Sequence, residues 1–343
     1  MKTPRQLITS SIKASLFHSG AFASYRRLHP SDGVAILRYH SVQHSEQNFY
    51  ASPSIVLSPA DFERQVRYFV KRYHVVSLDT VVECLRTGRP FPKRAIVFTF
   101  DDGYADNYHA HHILKKYGVT GTFYVVAGCI GNEHPLWLAE VHRLIRFTSR
   151  QRFEIVIDGV THQFEINHRQ QSIGEVTWLM KSYAIEARAL ILQQLYEQLA
   201  DDGMKDRVPK IPVMLTYAQL REMVHHGMTI GGHTMTHANL PSAKPDEAYA
   251  EISQCKQVLE KELGVAVHHF SYPNGGCEQY FNNIIRGYVE QAGFLSATTS
   301  QEGHVRSVSD SLTLPRVRTG QELYDIAYRL DVDRGSAFVQ NVR

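Results

Sequence analysis

The chain has 343 residues, a formal net charge of +3 and an apolar fraction of 43%. This small positive charge does not indicate a nucleic-acid-binding protein, and the composition is that of an ordinary globular chain. The four cysteines are widely spaced, which argues against a disulfide framework, a zinc finger and a paired-thiol redox motif. No segment is long and apolar enough to span a membrane, and residues 7–13 are too polar for a signal-peptide core. We therefore expect a cytoplasmic protein.

Residues 5–28 have the spacing of an amphipathic helix, flanked by Lys13, Arg26 and Arg27. Such a helix either packs onto the folded domain or lies on a membrane surface. We favour packing and keep peripheral membrane contact as the alternative. Residues 1–33 are accordingly assigned as an N-terminal helical extension.

From residue 34 onward, short apolar strands alternate with helices, a pattern typical of parallel strands wound with helices. The predicted strands are residues 34–41, 75–78, 95–100, 122–126, 229–232, 268–272, 295–299 and 312–317. The predicted helices are residues 58–70, 79–86, 104–117, 216–223, 246–263, 278–292 and 321–330. Helix starts are marked by N-cap residues such as Ser58 and Thr216, and ends by glycines such as Gly264.

Residues 132–210 interrupt this alternation. Residues 153–166 alternate between apolar and polar side chains around Asp158 and Gly159, which predicts a β-hairpin. Residues 174–200 have the pattern of one long helix. We interpret the segment as an insertion in one barrel connection that forms a cap or a partner surface.

Two of the predicted strands end in side chains that can bind a metal ion. Asp101 and Asp102 follow the apolar strand 95–100, and His233 and His237 follow the strand that begins at Thr229. Two imidazoles and one carboxylate make a three-ligand site with an open position for water, which is what catalytic zinc requires. The alternative is a solvated acidic turn and surface histidines, and the conjunction of the two strand ends favours the metal site.

The segments Thr99–Gly103 and His233–His237 resemble the first two motifs of the polysaccharide deacetylases, the NodB-homology domains of carbohydrate esterase family 4. The resemblance covers roughly residues 34–320 outside the insertion. It implies an α/β fold, a distorted β/α barrel of about seven strands in residues 34–330, followed by a tail at 331–343. It also implies one divalent metal ion, expected to be Zn²⁺, and hydrolysis of N-acetyl groups on N-acetylhexosamine units of a glycan.

Carried over from this family, Asp101 is the general base and Asp102, His233 and His237 are the metal ligands. A third motif resembles the Tyr-Pro variant of the biofilm-polysaccharide branch, with Asn274 where an aromatic residue is common. The backbone N–H of Asn274 is then a candidate oxyanion donor. A tight turn that needs proline and glycine explains this third motif equally well.

The family's late Leu-x-His motif is absent from the C-terminal region, but Leu37–His40 occurs before the first motif. The chain therefore resembles circularly permuted members of the family, and His40 is the candidate general acid. His304 is the rival candidate, although its Ser- and Gly-rich surroundings predict an exposed loop. Arg316 is a candidate replacement for the arginine missing from the third motif, where it would hold Asp101 ionised; a surface arginine is the alternative.

The aromatic residues Tyr104 and Trp137 either stack on a sugar or belong to the core. The function expected from the residues together is metal-dependent N-deacetylation of a polysaccharide, an oligosaccharide or a lipid-linked glycan. Two alternatives are an O-acetyl esterase on the same scaffold and a non-catalytic glycan-binding relative. The expected partner is an acetylated glycan, and no nucleic acid is expected.

Overall fold

The computed structural model describes residues 4–132, 135–276 and 280–333. The strands are β1 (Ala35–Tyr39), β2 (Ser41–Val42), β3 (Val56–Leu57), β4 (His74–Val75), β5 (Ala95–Phe100), β6 (Thr122–Val125), β7 (Arg152–Ile157), β8 (Val160–Glu165), β9 (Thr229–Gly232), β10 (His269–Ser271), β11 (Ser296–Glu302) and β12 (Leu314–Arg318). The helices are α1 (Pro4–His18), α2 (Ala21–Leu28), α3 (Pro59–Arg72), α4 (Leu78–Thr87), α5 (Asn107–Lys116), α6 (Trp137–Phe147), α7 (Arg169–Lys181), α8 (Ile185–Leu199), α9 (Met204–Arg207), α10 (Tyr217–His225), α11 (Pro245–Leu263), α12 (Asn283–Gln291) and α13 (Leu323–Asp331).

Seven parallel strands close into a barrel in the order β1, β5, β6, β9, β10, β11, β12 and back to β1. Strand β4 adds to β5 through its first residues, where His74 is in register with Ala95. This architecture confirms the predicted distorted β/α barrel. All the strands run the same way, so their carboxyl ends meet at one rim of the barrel, where α/β barrels place their functional groups.

Alternation along the strands divides their side chains between the barrel interior and the helical layer. In β5, Ile96 and Phe98 pack in the large outer core with helices such as α3 and α5, while Val97 packs inside with Ile36 of β1. Both faces of β5 are therefore buried, which explains why its sequence is apolar at every position except Thr99. Thr99, on the same face as Val97, leads to Asp101 at the rim.

Helices α6, α7 and α8 and the β7–β8 hairpin pack into a second hydrophobic cluster, which they share with Phe49, Tyr50 and Tyr104 from outside the insertion. The predicted hairpin is confirmed, and its Asp158 and Gly159 both have positive φ, as a two-residue type I′ turn requires. The prediction of one helix over 174–200 is wrong, because the chain forms α7 and α8 with a break at 182–184. No proline or glycine marks this break, and tertiary packing sets it.

Other boundaries also differ from the predictions. The segment 5–28 is two helices rather than one, separated at Gly20, whose φ of 81° ends the first helix. The strand predicted at 75–78 is β4, and Ser77 instead caps α4 by accepting a hydrogen bond from the N–H of Thr80. The helix predicted at 278–292 begins at Asn283, because Asn282 caps it by accepting a hydrogen bond from the N–H of Ile285. Residues 277–279 lie outside the described residues, as does most of the predicted tail. The Ser58 cap and the Thr216 capping box are confirmed.

Helices α1 and α2 lie against α13. The Lys13 ammonium is 3.1 Å from the Asp325 carboxylate, and Arg26 and Tyr73 both donate to Asp331. No helix in the described part of the chain is long and apolar enough to cross a membrane.

Candidate active site

A cavity of about 380 Å³ opens at the carboxyl ends of the barrel strands. It is lined by six of the seven predicted site residues: His40, Asp101, Asp102, His233, His237 and Asn274. They come from chain segments more than 230 residues apart, and the parallel barrel brings them together because each follows the carboxyl end of a strand. The seventh, Arg316, lies on β12 and contacts Asp101 directly.

Arg316 and Asp101 form a buried, bidentate ion pair. The two guanidinium N–H groups donate to the two carboxylate oxygens at 2.7 Å each. Arg316 also donates to the Thr299 carbonyl at 2.8 Å and to Ser271 Oγ at 3.2 Å, so its position is fixed. Burial raises the pKa of Asp101, but the charge and hydrogen bonds of Arg316 outweigh it, and the pKa falls well below its usual range. Asp101 is therefore held ionised.

Asp102 belongs to a separate cluster with His233 and His237. Asp102 Oδ1 lies 3.6 Å from His233 Nε2 and 3.5 Å from His237 Nε2, and one ligand atom from each residue lies within 4.8 Å of the others. The Nδ1 of His233 is paired with the Ser271 carbonyl at 2.7 Å, which leaves its Nε2 available to a ligand. All three side chains are buried.

This geometry fits a divalent ion. The two separations are too long for hydrogen bonds, yet two ligand atoms at about 2.1 Å from one tetrahedral ion are about 3.4 Å apart. Two imidazoles and a carboxylate suit Zn²⁺ and neighbouring transition metals. The loop geometry supports the same arrangement, since Asp102, Thr234 and His237 have positive φ although none is glycine.

His40 lies on the other side of Asp101, with Nε2 3.9 Å from Asp101 Oδ2 and its side chain 24% exposed. Burial lowers the pKa of His40, although Asp102 and Asp101 oppose the shift. The ring is thus neutral at rest and must gain a proton before it can donate one. Its backbone carbonyl accepts a hydrogen bond from the Asn107 side chain at 2.6 Å, which ties the end of β1 to α5.

His304 lies at the opposite end of the barrel. It is 8% exposed, so the prediction of an exposed loop is wrong. It lines a second cavity together with Gly33, Ala35 and Ala95, which stand at the amino ends of β1 and β5. The connection between β11 and β12 folds back against this end from Gly303, and Val305 forms a β-bridge with Val34 there. His304 is therefore remote from Asp101.

Asn274 follows Pro273 at the carboxyl end of β10 and has a φ of 59°. The turn is closed by the N–H of Gly275, which donates to the Tyr272 carbonyl at 3.2 Å. A Cβ at residue 275 would lie 2.7 Å from the Tyr272 side chain, so the turn needs glycine there. This conformation presents Asn274 to the cavity.

The sequence profile of the family described as polysaccharide deacetylase matches residues 88–296, more than half of the chain. The chain belongs to the polysaccharide deacetylase family. Membership makes it an enzyme of the class that acts on acetylated polysaccharide.

Similar solved structures carry the same fold. The Streptococcus pyogenes deacetylase PplD, solved with acetate, superposes with a TM-score of 0.57 at 20% identity, covering 88% of this chain and 99% of PplD. IcaB from Ammonifex degensii gives a TM-score of 0.57 at 18% identity, covering 88% and 98%. YxkH of Bacillus subtilis, assigned by name to the polysaccharide deacetylases, is 20% identical over 297 residues, which are 86% of this chain and 74% of YxkH.

In this deacetylase the insertion contacts residues 233–237, which we call the histidine loop. Arg188 of α8 donates to the His237 carbonyl at 3.0 Å and to Thr236 Oγ1 at 3.0 Å. On the barrel side, Glu251 of α11 accepts hydrogen bonds from the N–H groups of Met235 and Thr236 at 2.9 and 2.8 Å. The sequence motifs did not indicate Arg188 or Glu251, because neither residue lies near a motif. The only available signal was a charged residue at one of the mostly apolar positions of its helix.

The two aromatic residues considered for sugar stacking are buried. Trp137 is 7% exposed, and its Nε1 donates to the His237 carbonyl at 3.4 Å. Tyr104 is 1% exposed and packs against Tyr50 with ring centroids 5.3 Å apart. Trp137 thus contacts the loop 233–237 of the deacetylase rather than offering an open surface to a sugar.

Proposed function

We propose that this deacetylase is a metal-dependent hydrolase that removes N-acetyl groups from N-acetylhexosamine units of a glycan. The observation that carries the proposal is that the adjacent carboxylates of Asp101 and Asp102 have different partners. Asp101 is neutralised by Arg316, while Asp102 faces two histidine Nε2 atoms at ligand spacing.

Asp102, His233 and His237 would hold the ion, expected to be Zn²⁺. When bound, the ion would act as a Lewis acid that polarises the acetyl carbonyl and makes a water molecule more acidic. The chain's own groups then handle the protons. Asp101, kept ionised, removes a proton from the attacking water.

The backbone N–H of Asn274 is proposed to stabilise the negative charge that develops on the carbonyl oxygen. His40 lies 3.9 Å from Asp101, so the proton taken from water has a short route to its ring and on to the departing nitrogen. The C–N bond of the amide breaks, the water oxygen remains on acetate, and the nitrogen leaves as the amine.

The test replaces Asp101 with asparagine and measures acetate release together with bound zinc. We expect turnover to fall by at least about 10³-fold, because general-base catalysis is lost, while about one equivalent of zinc stays bound. Asp102→Asn is the contrasting variant and should lose the zinc. Turnover retained in Asp101→Asn would contradict the assignment. Matched N-acetylated and O-acetylated substrates distinguish the proposed activity from that of an O-acetyl esterase.

A further inference from the structure

Basic side chains outnumber acidic ones around the cavity. Arg38, Lys181 and Arg318 line it, and Asp101 and Asp102 are the carboxylates among its lining residues. Asp101 is already neutralised by Arg316 from β12. Within the described residues, none of the three lining cations forms an ion pair; Arg38 and Lys181 are partly buried, whereas Arg318 is exposed at the end of β12.

Arg38 and Arg318 are held side by side by the barrel itself. They are partners in register on the parallel strands β1 and β12, so their side chains leave the same face of the sheet. Arg316, two residues before Arg318, shares that face. Like charges directly opposite one another on neighbouring strands destabilise a sheet.

The electrostatics of Arg38 reflect this crowding. Its Nε is buried without a hydrogen-bond partner. Burial, and then the charge of Arg316, lower the pKa of Arg38 to about 10; the charges of Asp101 and Glu302 oppose this shift, and Arg318 adds to it. The carboxylate of Glu302 is near Arg318 but does not line the cavity, and it contacts Arg329 at 3.4 Å.

Lys181 faces the same cavity from the insertion, at the end of α7. Burial lowers its pKa, opposed by the charge of Asp102. Cations therefore lie on two sides of the cavity: Arg38 and Arg318 on the barrel strands, and Lys181 on helix α7. Arg38 and Lys181 are partly removed from water, and an unpaired charge in that position is costly unless a ligand supplies its counter-charge. Arg318 is exposed and adds its charge at the cavity mouth without this cost.

We infer that the acetylated sugar bound by this deacetylase carries an anionic group, a carboxylate or a phosphate, beside the acetylated unit, with Arg38, Arg318 and Lys181 as its binding residues. The inference rests on the proposed function and adds the charge of the substrate to it. Arginine provides paired N–H donors that suit either oxyanion, and lysine adds a point charge.

The test compares three probes at equal concentration: neutral chitotetraose, a hyaluronan tetrasaccharide that adds carboxylates, and UDP-N-acetylglucosamine, which adds phosphates. We expect kcat/KM to be at least about tenfold higher for one of the two anionic probes, and the one preferred identifies the anionic group. Raising the salt from about 0.05 to about 0.5 M should reduce this preference.

Two variants assign the effect to residues. Arg318→Gln and Lys181→Gln should each reduce the preference, measured as the ratio of kcat/KM values, by about tenfold. Lys210→Gln is the matched control, because it makes the same charge change at an exposed lysine that does not line the cavity. Its ratio should equal that of the wild type.

Binding of the probes to the Asp101→Asn variant tests the substrate charge separately from the deacetylation reaction. If the wild-type enzyme releases acetate without preference for an anionic probe, the inference is overturned and N-deacetylation stands. Preferential binding of an anionic probe, lost in Arg318→Gln, would support the inference even if no probe released acetate. Equal or absent binding of all probes without turnover would overturn it.

Discussion

Replacing Arg316 with methionine removes one partner of the buried pair with Asp101 while keeping a side chain of similar length. Both side chains are nearly inaccessible, at 1% and 5%, and two charge-assisted hydrogen bonds of 2.7 Å are lost. Removing one partner from a buried pair costs about 3–5 kcal/mol, because the remaining charge stays buried without compensation. We expect a loss of this size in the free energy of unfolding, measured by urea denaturation. Arg329→Met is the matched control: its contact with Glu302 is 3.4 Å long and exposed, and its loss should cost about 0–1 kcal/mol.

The same variant predicts a shift in pH dependence. In the wild type the pKa of Asp101 is lowered, so the stability contributed by its ionised form is present above the unfolded-state pKa of about 3.9 and is lost as the pH falls through the folded-state value. Without Arg316, burial dominates and the pKa of Asp101 rises. The acid limb of kcat/KM for acetate release should therefore move to higher pH. Arg316→Lys should shift this limb less than Arg316→Met, because lysine keeps the positive charge but not the two parallel N–H donors. An unfolding free energy within about 1 kcal/mol of the wild type, or an unmoved acid limb, would refute this reasoning.

The remaining predictions concern the loop that carries the proposed metal ligands His233 and His237. Arg188→Met should weaken zinc binding about 10–100-fold in a competition assay with a chromophoric chelator, because the His237 carbonyl loses its guanidinium donor; unchanged affinity would mean that α8 does not orient the loop. Gly128→Ala should lower both the unfolding free energy and the zinc affinity, since a Cβ would lie 2.5 Å from the Met235 carbonyl oxygen. Gly174→Ala, inside α7 and with open space around it, is the matched substitution and should instead stabilise the protein by about 0.4–1 kcal/mol.

Sequence patterns predicted the barrel and brought forward Asp102, His233 and His237 as proposed metal ligands, because local signals mark both. The run Ala95–Phe100 is apolar except for Thr99, and Asp102 and His233 lie within two residues of a strand end, with His237 one short loop further on. The helix break at 182–184 had no such signal: it lacks proline and glycine, and packing within the insertion decides it.

The pairing of Arg316 with Asp101 was predicted only as one of two alternatives, because the partners are 215 residues apart and nothing local distinguishes a buried arginine from an exposed one. His304 shows the opposite error. Polar, glycine-containing neighbours predicted exposure, but the β11–β12 connection folds back under the barrel and buries the ring. Long-range strand order, which a single sequence does not specify, decides both cases.

The insertion is best understood as part of the active site rather than as a cover added to a finished barrel. Arg188 of its helix α8 donates to the His237 carbonyl. In its helix α7, the Lys181 carbonyl accepts a hydrogen bond of 2.8 Å from Asn239, two residues beyond His237. The residue that receives this bond also presents its ammonium group to the cavity. One packed unit therefore contacts the loop of the proposed ligand His237 and places the charge of Lys181 at the cavity. A shift of α7 and α8 against the barrel would alter metal affinity and substrate preference together, whereas a shift of β12 would alter Asp101 through Arg316 and leave the histidine loop in place.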